Sequence, residues 1–408
     1  MHGHIRKRHK PDCANRADKH RRCNCNGRWQ ARMPDPDPTR PRNAEISKTF
    51  RTEQEARDWL AVQRGAQLGG EWLDPRKAER PFAAVVAAWQ ESWPGRLSPL
   101  TEQRYRGVLD RYLLPEFGAI PVGRITREVV QRYVNRLAAS GGHAPGTIRN
   151  IFAVLRTALS EALTLNIIRV NPCLGIRLPK PRREEMLFLT PDEVAALAEG
   201  IDPHFRVLVY VAAYTGLRAG ELAGLQRQDV DLLRGVIHVR RSVRDVNGRL
   251  EIGTLKTEHS RRTVSLPRFL REMLAEHLAS PIPGGTGPEA YVFTMKRGGP
   301  IRHRTLYGKF FRRAVAGWTD GWGREHPGAL PAHLHGLRFH DLRHTAASLA
   351  IHAGAHPLLV SKMLGHSSVT ITLDRYSHLF PEATSSVAEK MDGLYAASQP
   401  AKGNVLSL

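Results

Sequence analysis

Cysteine is scarce in this chain, with 4 in 408 residues, and so few cannot form a disulfide framework. Long apolar runs are missing as well. The longest uncharged apolar stretch, Val207 to Leu217, falls short of the roughly 18 residues a membrane span needs. The N-terminus is charged and lacks an apolar segment, so no secretory signal is visible. Lysine is the rarer base, 12 of the 61 basic residues, which leaves 49 arginines. No carboxylate cluster with metal-ligand spacing occurs, which disfavours a metal-ion mechanism. These absences predict a cytoplasmic protein with reduced thiols and no segment in a membrane.

What is present is positive charge. The chain carries 61 Lys+Arg against 39 Asp+Glu, a formal net charge of +22. A polyanionic partner follows, nucleic acid first and an anionic membrane surface second. The arginine bias has two readings, a GC-rich genome or the fit of a planar guanidinium to phosphate. Hydrophobic residues at 41% exclude a disordered tail protein, and the length predicts two or three domains.

Composition divides the chain. Residues 1–33 hold ten basic and two acidic residues, net +8. Among the ten, Arg6, Lys7, Arg8, Arg21 and Arg22 are candidate DNA contacts. A strand at 27–32, another at 45–50 and a helix opened by the capping box Thr52-Glu53-Gln54-Glu55 make a small basic α+β module over 1–75. Residues 76–177 read as an all-helical bundle of four helices, with Arg149 among its exposed arginines. A basic, proline-containing linker, 178–184, carries Arg182 and Arg183 as further candidate contacts. Residues 185–395 read as helices with one small antiparallel sheet, its strands at 236–239, 249–255 and 262–266 and a hairpin turn at Asn247-Gly248. A tail, 396–408, follows. The fold class is mainly α with small antiparallel β-sheets. Cys13, Cys23 and Cys25, with His9 and His20 nearby, could form a zinc site, but C-x9-C-x-C fits no standard finger, and no metal or other cofactor is assigned.

Five features of the third region fit one reaction. Arg218 lies in TGLRAGEL at a helix start after a glycine break, where a cation and unpaired N–H groups can hold an anion. Lys256 lies in LKTEHSRRTV, between two strands. In an arginine-rich chain a lysine there is informative, because lysine can give up a proton. His340, Arg343 and His344 in HDLRHTAAS share one helix face. His366 follows Gly365, a residue suited to a left-handed helix cap. Tyr376 lies ten residues further on, at the edge of a polar segment. Each feature alone is common.

Together, TGLRAGEL, LKTEHSRRTV, HDLRHTAAS and LGHSSVTITLDRYSH resemble the tyrosine recombinase, or phage integrase, family over about residues 76–393. The N-terminal module is similar to the arm-type DNA-binding domain of larger integrases, the helical region to a SAM-like core-binding domain, and 185–395 to the α+β catalytic domain. The resemblance implies site-specific strand exchange in double-stranded DNA through a 3′-phosphotyrosine, integrating or excising a mobile element. It makes Tyr376 the nucleophile, Arg218 and Arg343 the clamp on the pentavalent phosphate, and His366 a phosphate ligand. His340 becomes the proton acceptor or a phosphate ligand, and Lys256 the donor to the leaving 5′-oxygen. Glu221 orients Arg218, and Asp341 and Asp374 are structural or intersubunit partners. The resemblance also implies a homotetramer on paired attachment sites, two DNA-binding domains closing as a clamp, a directionality factor, and action at the nucleoid. Two other readings stand beside it: relaxation of DNA in the manner of a type IB topoisomerase, and a non-catalytic DNA-binding regulator.

Overall fold

In a computed structural model the chain forms two units, Met1–Arg182 and Arg183–Leu408. The described residues are 3–11, 13, 25–36, 40–41, 43–69, 72–181, 185–246, 248–254, 261–281, 283–380 and 384–398. Among them, no helix is long and apolar enough to cross a membrane.

The first unit opens with a three-stranded antiparallel sheet, β1 (His4–Arg8), β2 (Arg28–Pro34) and β3 (Glu45–Phe50), in that order. Helix α1 (Glu53–Leu68) packs on it, and its Thr52–Glu55 capping box satisfies the first-turn N–H groups. The core here is small: Ala31, Met33, Ile46, Ala56 and Leu60. β1 is not evident from the sequence, because Ile5 is its one apolar residue among charged ones. Its ladder to β2, from His4↔Arg32 to Arg8↔Arg28, supplies the stability that composition does not.

Four helices follow, α2 (Phe82–Glu91), α3 (Pro99–Val108), α4 (Arg127–Ala139) and α5 (Pro145–Thr164), around Phe82, Trp89, Leu109, Phe117, Ile148 and Leu155. α3 runs on through a wide π turn, Leu109–Leu113, into Leu114–Phe117. The wide turn stands just before Pro115, which lacks an N–H and whose ring crowds the carbonyl four residues back.

In the second unit, α6 (Pro191–Gly200) begins at the Thr190–Glu193 capping box. The buried α7 (Arg206–Thr215) ends at Gly216, and a one-turn α8 (Ala219–Ala223) follows. As the sequence suggests, Arg218 stands at the start of α8, where the Glu221 carboxylate accepts from its backbone N–H and fixes it as the cap. The single sheet expected from sequence is three among the described residues, one of them a short pairing of Trp318–Thr319 with Glu325–His326. β4 (Val230–Asp231), β5 (Val236–Val239) and β8 (Arg262–Ser265) form one, and β6 (Arg241–Val246) with β7 (Arg249–Thr254) form a separate hairpin. β6 is hidden in the sequence by its arginines and aspartate, although Ser242, Val243 and Val246 are buried. After α9 (Arg268–Ala279) comes α10, a helix over 303–316 with a π turn at Tyr307–Phe311. Helices α11 (Asp341–His352), α12 (Pro357–Leu364), α13 (Val369–Tyr376) and α14 (Thr384–Ser398) close the chain.

α13 has little support in its own sequence. Val-Thr-Ile-Thr is a β-branched run with weak helix propensity, so composition argues against a helix. Two contacts decide otherwise: Ser368 caps the first turn through the Thr370 N–H, at 3.1 Å, and Thr372 is buried.

Candidate active site

Two left-handed helix ends build the site. α7 ends at Gly216 with φ +66°, and α12 ends at Gly365 with φ +66°. A side chain at either position would be strained, and at Gly216 a Cβ would stand 2.6 Å from Leu364. The carbonyls exposed by these ends hold arginines. Arg343, buried on α11, donates to the Gly216 carbonyl at 2.6 Å and to the Leu364 carbonyl at 2.5 Å. Arg218 donates to the Gly365 carbonyl at 3.2 Å. Helix C-termini carry partial negative charge, so they are favourable seats for guanidinium groups.

A carboxylate completes the scaffold. Glu221 is buried and accepts from the Arg218 side chain at 2.8 Å and from Arg262 at 2.9 Å. Burial pushes its carboxyl pKa up, but Arg262 and Arg218 outweigh this and hold it below its usual value. Arg262 also donates to the Met363 carbonyl at 2.7 Å. Burial, then Arg218 and Arg262, draw the Arg343 pKa down to about 9, so it remains a cation at neutral pH.

These groups surround an open pocket of about 410 Å³ lined by Arg218, His340, Arg343, His366, Ile371 and Arg375, among others. His366 Nδ1 lies 2.8 Å from Thr372 Oγ1, which orients the ring. Burial, with Arg343 next, draws its pKa down to about 4. Burial and Arg343 also lower His340. The pocket is cationic through its arginines while its imidazoles are neutral at pH 7.

Tyr376 is not at the edge of a polar segment. It is wholly shielded among Ala347, Ile351, Val360 and Leu364, at the last residue of α13. Its hydroxyl shares a hydrogen bond of 2.6 Å with His344 Nδ1. The sequence reading put His344 on the same anion-facing side as His340 and Arg343. The structure turns it inward onto Tyr376, because α11 is buried on every side from Asp341 to Ser348. Burial raises the Tyr376 pKa, while Arg343 and Arg375 pull it the other way. Burial, then His340, draws His344 down to about 4.

The structure brings Arg218, His340, Arg343 and His366 together, with Glu221 behind Arg218. Lys256, Arg21, Arg22, Arg182 and Arg183 lie outside the described residues. Arg6, Lys7 and Arg8 stand on β1, where Arg6 donates to Gln30 at 3.1 Å and Lys7 lies 5.9 Å from the Trp29 ring. Arg149 donates to the Pro179 carbonyl at 3.0 Å. Asp341 accepts from Arg338 at the head of α11. Sequence reasoning missed Arg262, Thr372 and Arg375, and it singled out His344 without its contact to Tyr376. Arg262 stands in the quoted LKTEHSRRTV motif and Arg375 immediately precedes Tyr376, but neither has a local signal that separates it from other arginines.

Two depressed histidines make stability pH-dependent. Unfolded, each titrates near the ordinary 6.5; folded, each titrates near 4. The folded state keeps this advantage above pH 6.5 and loses it as pH falls from 6.5 towards 4. The slope is about 1.4 kcal/mol per pH unit for each histidine that changes state. His344, at 6% exposure, contributes the larger part, because the more open His366 is screened by solvent. Thermal unfolding across this range should show the midpoint falling with acid, less steeply in His344→Gln. A flat wild-type profile would contradict the burial argument.

The chain has the makeup of an integrase, an enzyme that breaks and rejoins DNA. The phage integrase family profile matches residues 187–383, the phage integrase N-terminal SAM-like domain matches 82–138, and the phage integrase N-terminal domain matches 20–68. The chain belongs to the phage integrase family. It is 29% identical over 354 residues to the integrase of Mycobacterium phage D29, covering 85% of this chain and 89% of that protein. It is 25% identical over 346 residues to the ICEBs1 integrase of Bacillus subtilis, covering 82% and 89%. Among solved structures, the Tn1549 transposon integrase in complex with circular intermediate DNA aligns with TM-score 0.60 at 22% identity, over 77% of this chain and all of that one. A lambda integrase tetramer bound to a Holliday junction aligns with TM-score 0.52 at 20% identity, over 86% and 92%. These two likenesses concern the fold.

Proposed function

We propose that this protein is a site-specific recombinase that exchanges strands of double-stranded DNA through a 3′-phosphotyrosine on Tyr376. The observation that carries this reading is the pocket. Two guanidinium groups, each fastened to a helix-end carbonyl, and two imidazoles converge there, with Tyr376 buried nearby within the electrostatic reach of Arg343 and Arg375. A scissile phosphate fits that charge, and its transition state gains negative charge on the non-bridging oxygens that Arg218 and Arg343 would bind. His366 adds a hydrogen bond to the same group.

In this reading the His344 contact is a resting seat. The shielded hydroxyl leaves it when DNA is bound, enters the pocket, and gives its proton to His340. Attack breaks the P–O5′ bond and forms the P–O bond to tyrosine, and Lys256 supplies the proton taken by the 5′-oxygen. The phosphodiester energy is retained in the phosphotyrosine, so no high-energy cofactor enters.

The three regions take separate parts: 1–75 binds distal arm DNA, 76–177 and 185–395 bind the core site, and 178–184 links them. The assembly is a homotetramer on paired attachment sites, a reading supported by the likeness to a lambda integrase tetramer bound to a Holliday junction. Helix α14, with Met391, Leu394 and Tyr395 exposed, is the segment offered to a neighbouring subunit. Excision of the element would call for a directionality factor.

Linkage polarity tests the reaction. With a nicked suicide substrate, a 5′-end label on the cleaved strand should become protein-bound, while a 3′-end label should leave on the released fragment. The reverse pattern would exclude a 3′-phosphotyrosine. The role of Lys256 has its own test. Lys256→Ala should slow cleavage by roughly 10²–10⁴-fold, the usual worth of a general acid. A 5′-thiol leaving group, which departs without a proton, should restore most of that loss. An equal defect on both substrates would remove Lys256 from the role.

A further inference from the structure

We propose that His9, Cys13 and Cys25 form a zinc site that fastens the open end of the β1–β2 pair. His9 Nδ1 lies 3.4 Å from Cys25 Sγ and 3.4 Å from Cys13 Sγ, and one donor atom from each residue lies within 4.8 Å of the others. A tetrahedral zinc ion, with Zn–N near 2.0–2.1 Å and Zn–S near 2.3 Å, holds its nitrogen and sulfur ligands ~3.5 Å apart. One imidazole and two thiolates suit zinc and exclude magnesium and calcium, which take oxygen ligands.

The backbone explains the convergence. Arg8↔Arg28 is the last rung of the ladder, so His9 leaves β1 opposite the residues that enter β2. The Cys13 N–H donates to the Lys10 carbonyl at 3.1 Å, a turn that folds Cys13 back towards His9. On the other strand, the Gly27 N–H donates to the Cys25 carbonyl at 2.7 Å. Gly27 passes so close to the Arg8 carbonyl that a Cβ would stand 2.4 Å from it. Glycine at 27 is therefore what lets Cys25 reach the end of β1.

The module has reason to use a metal. Among the described residues its fully buried core is five side chains, with Ile5, Trp29, Phe50, Trp59 and Trp72 only partly covered, and small cores commonly need a staple. The ion would also tie together the two ends of the segment between Cys13 and Cys25, whose sequence carries Arg16, Lys19, Arg21 and Arg22. A basic segment closed at both ends meets a phosphate backbone with less conformational entropy to lose. The spacing C-x9-C-x-C conceals such a site, because it leaves out the histidine. The donor order is H-x3-C-x11-C, with histidine first.

Metal content of the full-length protein tests the proposal. Protein reduced, incubated with zinc chloride and freed of excess by gel filtration should retain about one zinc per chain. Cobalt in its place should give a thiolate-to-metal charge-transfer band and the intense visible bands of tetrahedral coordination. Cys13→Ser combined with Cys25→Ser should lose both the metal and the bands, whereas Cys173→Ser should keep them. Because the double variant can misfold, alkylation of the wild type supplies a second reading. Cys13 and Cys25 should react more slowly with zinc than after chelation, mapped by mass spectrometry. A metal-free wild type, a disulfide in its place, metal retained by the double variant, or alkylation rates unmoved by chelation would overturn the site.

Discussion

Tyr376→Phe should bind its DNA as tightly as the wild type and form no covalent adduct. The variant loses one oxygen, and that oxygen is the proposed nucleophile. The expected loss in single-turnover cleavage is at least about 10⁴-fold, the scale seen when a nucleophile is removed from a set of groups that act together. Folding should survive. The hydroxyl makes one hydrogen bond, to His344 at 2.6 Å, while the ring keeps its place among Ala347, Ile351, Val360 and Leu364. Losing that bond costs about 1 kcal/mol and leaves His344 without a partner there, at most ~3 kcal/mol in all. Gel-shift affinity, adduct yield on a nicked substrate and thermal unfolding separate these effects. Adducts that persist in Tyr376→Phe would show that another residue attacks.

Arg343 should tolerate no substitute, lysine included. Its guanidinium spans two carbonyls from distant parts of the chain, Gly216 and Leu364. An ammonium is a compact point charge and cannot bridge them while facing the pocket. Arg343→Lys should therefore lose roughly 10²–10³-fold in cleavage, the scale of one removed electrostatic donor. Arg343→Ala should lose more and also unfold more readily, because each buried carbonyl left without a donor costs about 1–3 kcal/mol. Single-turnover rates on the suicide substrate, with melting curves beside them, give both readings. A lysine variant within threefold of wild type would mean that charge alone suffices and the fork geometry is idle.

The sequence carried the chemistry further than the architecture. Arg218, Arg343, His340 and His366 sit in short motifs whose order is local information, and they meet in one pocket. Segments stabilised from a distance were not legible. β1 has one apolar residue and exists through its rungs to β2. α13 has a β-branched start and exists through the Ser368 cap and a buried Thr372. The same is true of side-chain roles. Arg262 reads as one arginine among 49, and only its distance to Glu221 marks it as part of the scaffold. His344 differs from His340 by one helical turn, yet one faces Tyr376 and the other the pocket. Burial around α11 makes that choice, and periodicity alone does not contain it.

The arginine seats at the ends of α7 and α12 also set an order of assembly. Arg218 is joined to Gly365 and Arg343 to Gly216, residues 147 and 127 positions apart in the chain. Neither guanidinium has all of its partners until α12 has been synthesised and packed, because Arg218 also needs the Gly365 carbonyl and Arg343 the Leu364 carbonyl, and Tyr376 comes later still. A growing or partly unfolded chain thus has strong positive charge for clinging to DNA but no assembled means of cutting it. An enzyme whose misfired product is a broken DNA strand becomes competent only as α12 and α13 dock.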